Sequence, residues 1–384
     1  MSSSKGAILF LTSWYPVNEN PTHGIFIRNH ALALSLFQKV IIVYAYSSAT
    51  GPYYKPIEIK INENLTELTI KYPKPLITLK PFSSAIQFFK LKKAHHFLIH
   101  HLLHSKSEVK AIQVNVVFPA AVVLEEYKKH FNVEHTVLEH WSGYLPQDGN
   151  YHGSTLKRYT EKCINTANKI WHISQPQKEA MLSHGLKGNY ELIYNAVNTE
   201  MFTPQKNTSP RIKLLHVSSL VEREKNISGS FRVVKALQDK GYDFDFVVAG
   251  GEGEELSAAK KLAQQLQINN ISFTGVLSPE KIAAEMQCAT ALILFSHFEG
   301  MPVVVLEAMS CGLPIIASKV GQLPFMINNE FGILVDVNNE TQLLQALETV
   351  CSNTINFNKA AMRDFILKHA SYEAVGKQMS EFYL

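Results

Sequence analysis

Only four cysteines occur in the 384 residues: Cys163, Cys288, Cys311 and Cys351. They lie far apart with no C-x-x-C spacing. That excludes a disulfide framework and a zinc pattern, and reduced cytosolic thiols are the simplest expectation. Long apolar runs are also missing. No stretch reaches 18 apolar residues, so none is expected to span a bilayer. The run Ala7–Thr12 is too short for a signal-peptide core and reads as a buried first strand. Excess charge is small, with 37 Lys+Arg against 33 Asp+Glu, a formal +4. This suits an anionic small molecule or an acidic membrane surface and does not demand nucleic acid. Short-period repeats and low-complexity segments are absent. In "AGGEG" the third glycine of a dinucleotide fingerprint is missing, because Glu255 and Leu256 follow, so NAD is not expected.

What is present is globular: 46% hydrophobic and 18% charged. The chain is too long for one core, which sets two domains as the expectation. Continuous aliphatic runs recur: "AILFLT", "VIIVYAY", "AIQVNVVF", "HTVLEH", "KIWHIS", then "IKLLHVSSL", "FDFVVAG", "ISFTG", "ALILFS", "PIIAS" and "GILVDV". Runs of this kind, bounded by turn residues, suit strands buried on both faces. Helical segments such as "ISGSFRVVKALQDKG" alternate with them. The pattern is α/β, two doubly wound parallel sheets, and such domains bind ligands at strand carboxyl ends, here in a cleft between the two. The break is placed at a Pro-bounded linker, 204–210. The first domain is then 1–203 plus a returning C-terminal helix, 368–384, and the second is 211–367. Residues 51–81, with five prolines, show no clear period.

The stretch "SHFEGMPVVVLEAMSCGLP" (296–314) places two carboxylates in apolar surroundings. "ATALILFS" reads as a strand and "HFEGM" as the turn after it. Pro302 suits the first helical position, and Gly312 the stop. Glu299 then hangs at the helix mouth and Glu307 lies about two turns in. The helix start offers free N–H groups and a positive dipole end for a diphosphate. Two acceptor carboxylates beside an anion site fit a ligand that also presents hydroxyls, namely a nucleotide-diphosphate sugar. Read alone, Glu299 fits a solvated loop residue equally well, and Glu307 a cap on a neighbouring amide.

The stretch resembles the family 4 retaining glycosyltransferases of the GT-B fold, whose mark is a Glu-x7-Glu pair in S-x-x-E-G-x-P…LEAM-x-x-G-x-P-I-I-A. Here that is Ser296, Glu299, Gly300, Pro302, Leu306–Met309, Gly312 and Pro314–Ala317. "TSWYPVNENPTHGIFIRNHALAL", "TVLEHWSGY", "ELIYNAVNTEMFTP", "FVVAGGEGEE", "ISFTGVLSPEKIAAEM", "NEFGILVDV" and the closing "ILKHASYEAVGKQMSEFYL" follow in the family's order.

The resemblance implies a hexosyltransferase that retains anomeric configuration, uses a UDP- or GDP-linked donor, and needs no metal or other cofactor. It implies that Glu299 bonds the hexose and Glu307 the ribose diol. It places Lys225 and the N–H groups of Met301 and Val303 on the diphosphate, His140 on the hexose, Gly24 close to phosphate, and the Val276 backbone at the base. Two positions depart from the pattern. Ser219 replaces an arginine, with Arg223 as the candidate substitute, and Phe325 in "GQLPF" replaces an acidic residue. The rival readings are a sugar-nucleotide epimerase and a non-catalytic nucleotide-sugar-binding module.

Three further features each carry two readings. Asp243-x-Asp245 reads as a solvated strand entrance rather than a metal site. His96, His100 and His104 share one helical face, read as solvated or interfacial rather than metal-binding. "LKPFSSAIQFFKLKKAHHFLIHH", with Lys80, Lys90, Lys92 and Lys93 among aromatics, reads first as a domain helix and second as a contact with an anionic membrane. The expectation is a cytoplasmic protein, peripheral on the inner membrane face, that meets a sugar or lipid-linked glycan acceptor in surface polysaccharide or glycolipid synthesis.

Overall fold

The computed structural model describes residues 6–74, 82–205 and 211–384. The chain divides into two compact units, Met1–Ile193 with Tyr372–Leu384, and Tyr194–Ser371.

The first unit is built on β1 (Ala7–Thr12), β2 (Val40–Ser48), β3 (Ile57–Lys60), β4 (Leu65–Pro73), β5 (Val109–Asn115), β6 (His135–Glu139), β7 (Ile170–His172) and β8 (Tyr190–Leu192). The strand order is β3-β4-β2-β1-β5-β6-β7-β8, parallel except for β3, which runs antiparallel on β4. Every residue of β1 is buried, as a strand covered by helices on both faces requires. The second unit holds β9 (Ile212–Ser218), β10 (Phe244–Gly250), β11 (Ile271–Gly275), β12 (Ala291–Leu294), β13 (Ile315–Ser318) and β14 (Gly332–Val335), all parallel in the order β11-β10-β9-β12-β13-β14. Both sheets are doubly wound. Their order reverses between β1 and β5 and between β9 and β12, where ligands of this architecture sit.

Four features differ from the sequence reading. β3 and β4 fall in the Pro-rich segment that showed no period. Along β4, Leu65, Leu68, Ile70 and Tyr72 are buried while Thr66, Glu67 and Lys71 are only half-covered, so no continuous apolar run marks the strand. The run "AIQVNVVF" stops as a strand at Asn115. Val116 turns to φ 55°, and Val117–Ala120 forms a short helical turn interrupted by extended backbone at Phe118 (φ −109°, ψ 129°). The proposed linker 204–210 follows rather than marks the boundary. The chain enters the second unit at Tyr194 and is held there: Val197 N donates to Ala370 O (2.8 Å), and Arg363 donates to Thr199 O (2.7 Å) and to Phe202 O. Prolines marked a change of composition, not a loss of contact. Residues 206–210 lie outside the described residues, as does Lys80.

The expected helix 368–384 is in fact two. Lys359–His369 belongs to the second unit and Tyr372–Phe382 to the first. The latter crosses the helix Ile25–Ser35 at Gly376, where a Cβ would stand 2.1 Å from Ala33 O, so only glycine allows that approach.

Candidate functional site

In the second unit, the loops after β9 and β12 flank the reversal of strand order. The β9 loop is set by a buried relay. His216 Nδ1 lies 3.0 Å from Ile293 O, and its Nε2 lies 2.7 Å from Ser218 Oγ. Ser218 Oγ also accepts from Leu220 N (3.0 Å), so its own proton goes to Nε2. The ring is therefore neutral with its proton on Nδ1. Burial, aided by the Lys225 charge, holds it at about 4. The relay fixes Leu220 at φ 61° and starts the turn Glu222–Lys225.

The β12 loop is pinned by its carbonyls. Gln322 N donates to Gly300 O (2.8 Å), Asn195 Nδ2 to Met301 O (2.7 Å) and Val305 N to Pro302 O (3.1 Å). Gly321 lies so close that a Cβ would be 2.2 Å from Gly300 O. In a trans peptide, C=O and the following N–H point in opposite directions. Pinning the Gly300 and Pro302 carbonyls therefore turns the Met301 and Val303 N–H groups the other way. Neither of these N–H groups, nor that of Val304, has an acceptor among the described residues. They open the helix Val303–Ser310, which has no side-chain N-cap, so the start is free to take an anion.

The carboxylates sit on either side of this start. Glu299 is 8% exposed and its Oε1 accepts from Lys225 Nζ (2.7 Å) and Ser296 Oγ (2.7 Å). His297 N donates to Glu224 O (2.8 Å), tying the two loops together. Glu307 is the fifth residue of the helix, just over one turn in rather than two, because the helix begins only at Val303. Helical side chains lean toward the N-terminus, which brings its carboxyl toward the mouth. It makes no hydrogen bond among the described residues, and burial pushes its pKa up to about 7.

Ser219 and Arg223 are exposed on the β9 side, and the Arg223 guanidinium lies 5.6 Å from the centre of the Phe298 ring. Val276, 48% exposed, follows Gly275 (φ 68°) at the end of β11. Phe325 is 60% exposed in the short helix Leu323–Met326.

In the first unit, Gly24 (φ 73°) precedes the helix Ile25–Ser35, where a Cβ would stand 2.8 Å from the Trp14 carbonyl carbon. His140 follows β6. Its ring centre lies 4.3 Å from that of Phe26 and 5.3 Å from that of His30. Both ring nitrogens are buried without a partner among the described residues, and burial with His30 nearby pushes the pKa well below 6.5. The ring is a neutral hydrogen-bonding group, not a cation. Glu139 beneath it is fully buried and accepts from His140 N (2.8 Å), Trp141 N (2.9 Å), Val117 N (3.1 Å) and Tyr144 Oη (2.9 Å).

Sequence reasoning missed the tasks of Ser296, Asn195, Gln322, His216 and Glu139. All five stood inside quoted stretches; the partners of Ser296 and most of those of Glu139 are local, whereas Met301 for Asn195, Gly300 for Gln322 and Ile293 for His216 are distant in sequence. Asp243 and Asp245 both pair with Arg211 (3.1 and 3.2 Å). His96 and His100 face each other at 3.1 Å, with Glu126 3.6 Å from His96. Among the described residues, no three His, Cys, Asp or Glu side chains gather as a metal site.

Comparison with solved structures sets the class. The fold is that of sucrose-phosphate synthase from Thermosynechococcus elongatus (TM-score 0.76, 20% identity, 98% of each chain). It is also that of the Anabaena protein HepE in complex with UDP and glucose (TM-score 0.70, 14% identity, 98% of this chain and 99% of that one). Each unit is one of the two Rossmann-like domains of the GT-B architecture. Residues 198–364, nearly all of the second unit, match the family described as "Glycosyl transferases group 1". An uncharacterized glycosyltransferase of Methanocaldococcus jannaschii is 24% identical over 246 residues, 64% of this chain and 66% of that relative. The chain spans 62% of an uncharacterized glycosyltransferase of Haemophilus influenzae and 52% of a D-inositol 3-phosphate glycosyltransferase of Corynebacterium diphtheriae. Fold and match together support a transferase.

Proposed function

We propose that this chain is a retaining glycosyltransferase that moves a hexose from a UDP- or GDP-linked donor to an acceptor hydroxyl without a metal. One observation carries the reading. A largely buried Lys225–Glu299 pair, an open Glu307 carboxyl and three N–H groups without an acceptor among the described residues surround a single helix start. The N–H groups and Lys225 take the diphosphate, Glu307 the ribose diol and Glu299 the hexose hydroxyls. Charge develops on the diphosphate as the glycosidic bond breaks, so preorganised donors there favour the transition state over the ground state. The acceptor hydroxyl then attacks the face the diphosphate leaves and gives its proton to the departing diphosphate oxygen. His140, neutral and with both nitrogens open, keeps the sugar-bonding role that the resemblance gives it. Gly24 has the place near phosphate that the resemblance gives it, and the Val276 backbone serves the base.

The experiment is turnover on a panel of UDP- and GDP-hexoses with EDTA present, with the product anomer read by NMR. Retained configuration and unchanged rates are expected. An inverted product, or loss of turnover that Mn²⁺ restores, overturns the mechanism. Release of free sugar or its isomer without any acceptor favours an epimerase. Binding without turnover favours a non-catalytic module.

Glu307 makes the donor interaction pH-dependent. Its carboxyl ionises near 7, and the charged form is the stronger acceptor for a diol. A nucleotide-diphosphate sugar has no ionisation of its own between pH 6 and 8. Donor KM is therefore expected to fall as pH rises through 7. In Glu307→Gln it should be flat with pH and, at pH 8, about tenfold higher than in the parent. A parallel pH profile in parent and variant counts against the assignment.

The acceptor is proposed to be lipid-linked, met by the protein at the inner face of the cytoplasmic membrane. The support is the helix Phe82–His104, which contains no acidic residue. It exposes Phe89 (71%), Phe97 and Leu103 beside Lys92 and Lys93. Among the described residues, no helix is long and apolar enough to cross a membrane. Sedimentation with anionic vesicles is expected at low salt and should weaken toward 0.5 M NaCl, since the attraction is screened. Lys92→Glu with Lys93→Glu should abolish it. Equal, salt-insensitive binding to neutral vesicles counts against the proposal.

A further inference from the structure

The Met301–Pro302 peptide lies between the two N–H groups proposed to face the diphosphate, those of Met301 and Val303. Proline leaves this peptide without an N–H, so its carbonyl is the only backbone handle on its orientation. Asn195, the second residue of the second unit, holds that handle. Its Nδ2 donates to Met301 O at 2.7 Å, and its backbone N–H reaches Met301 Sδ at 3.3 Å. The side chain is 2% exposed and Met301 3%. Met301 O can only accept, so the amide nitrogen must face it. The amide oxygen is left buried with no partner among the described residues. Turning the amide over would set oxygen against oxygen, so the arrangement is locked by Met301 and not by Asn195's other neighbours.

We infer that Asn195 is a positioning residue: by gripping the Met301 carbonyl it aims the flanking N–H groups at the donor's diphosphate. It touches neither sugar nor base. Without it the Met301–Pro302 peptide between them loses its anchor, and the flanking N–H groups are held only through Gln322 N on Gly300 O and Val305 N on Pro302 O, so their common aim at the anion loosens while Glu299, Glu307 and the β9 loop keep their own supports. The inference rests on the donor reading above and adds to it a residue outside the loop that sets diphosphate affinity.

Calorimetric titration of the full chain with uridine, UMP and UDP, and with the guanosine series, tests it. In Asn195→Ala, binding of the diphosphate is expected to weaken about tenfold or more, the scale of a lost hydrogen bond to a charged group. Nucleoside and monophosphate affinities should stay within about twofold. Asn195→Asp, similar in size but with acceptors only, should show the same selective loss. It also serves as the second variant if the alanine form does not fold. Unchanged diphosphate binding in both variants overturns the inference. So does an equal loss across nucleoside, monophosphate and diphosphate, or unfolding of both variants, either of which makes Asn195 a residue of the fold. If the parent protein binds no nucleoside diphosphate, it is the donor reading itself that fails.

Discussion

Lys225→Met is expected to lower kcat/KM for the nucleotide-sugar donor by about 10³-fold. A cation about 4 Å from a phosphate oxygen contributes roughly 4 kcal/mol at an effective dielectric near 20, and each 1.36 kcal/mol is tenfold in rate. Part of the loss should fall on kcat, because negative charge grows on the departing diphosphate. The substitution also strands Glu299. That carboxylate is 8% exposed and would keep only Ser296 Oγ as a partner. Removing one member of a buried pair is strongly destabilising, here by roughly 3 kcal/mol. The melting temperature should therefore drop in the same variant. Measuring kinetics well below that midpoint separates the two effects, and nucleoside binding should be unchanged there. A variant with near-normal kcat/KM and only a lowered midpoint would make the Lys225–Glu299 pair structural, and the assignment of this site would be wrong.

Glu299→Ala is expected to lower kcat by roughly 10²-fold or more, the scale for losing one preorganised polar contact. Its effect on nucleotide binding should run the opposite way. Glu299 Oε1 accepts from Lys225 at 2.7 Å, so the carboxylate competes with a phosphate for the lysine charge. Removing the carboxylate releases the ammonium. UDP or GDP should then bind at least as tightly as to the parent, while sugar transfer fails. This contrasts with Glu307→Gln, whose expected loss lies in donor KM, because a ribose contact far from the breaking bond is nearly equal in ground and transition states. Steady-state kinetics with calorimetric binding of the diphosphate distinguishes the two carboxylates. Weakened diphosphate binding together with unchanged kcat in Glu299→Ala would reverse their roles and exclude the hexose assignment.

Much of the architecture is readable from the residues alone. Eleven aliphatic runs bounded by turn residues mark strands in both sheets, because a strand covered on both faces has to be apolar throughout. The helix start after β12 follows from local chemistry: a strand, a glycine turn, a proline with no N–H to lose, and a glycine stop at φ 69°. The carboxylates at 299 and 307 and the lysine at 225 are visible as residue types at telling positions. Their arrangement is not. Seventy-four positions separate Lys225 from Glu299, and only the parallel pairing of β12 on β9 brings the two loops together. β4 was hidden because a strand with polar residues every second position has no continuous run to announce it. The unit boundary was hidden because a proline-rich composition records backbone preference, whereas Arg363 and Asn195 decide which core the chain joins. Local sequence set which elements form and which side chains could do chemistry. Long-range packing decided which N–H groups are left free, which carboxylate is paired, and that burial pushes the pKa of Glu307, whose carboxyl has no hydrogen bond among the described residues, up to about 7. Hydrogen bonding and burial of this kind depend on neighbours that no window along the chain contains.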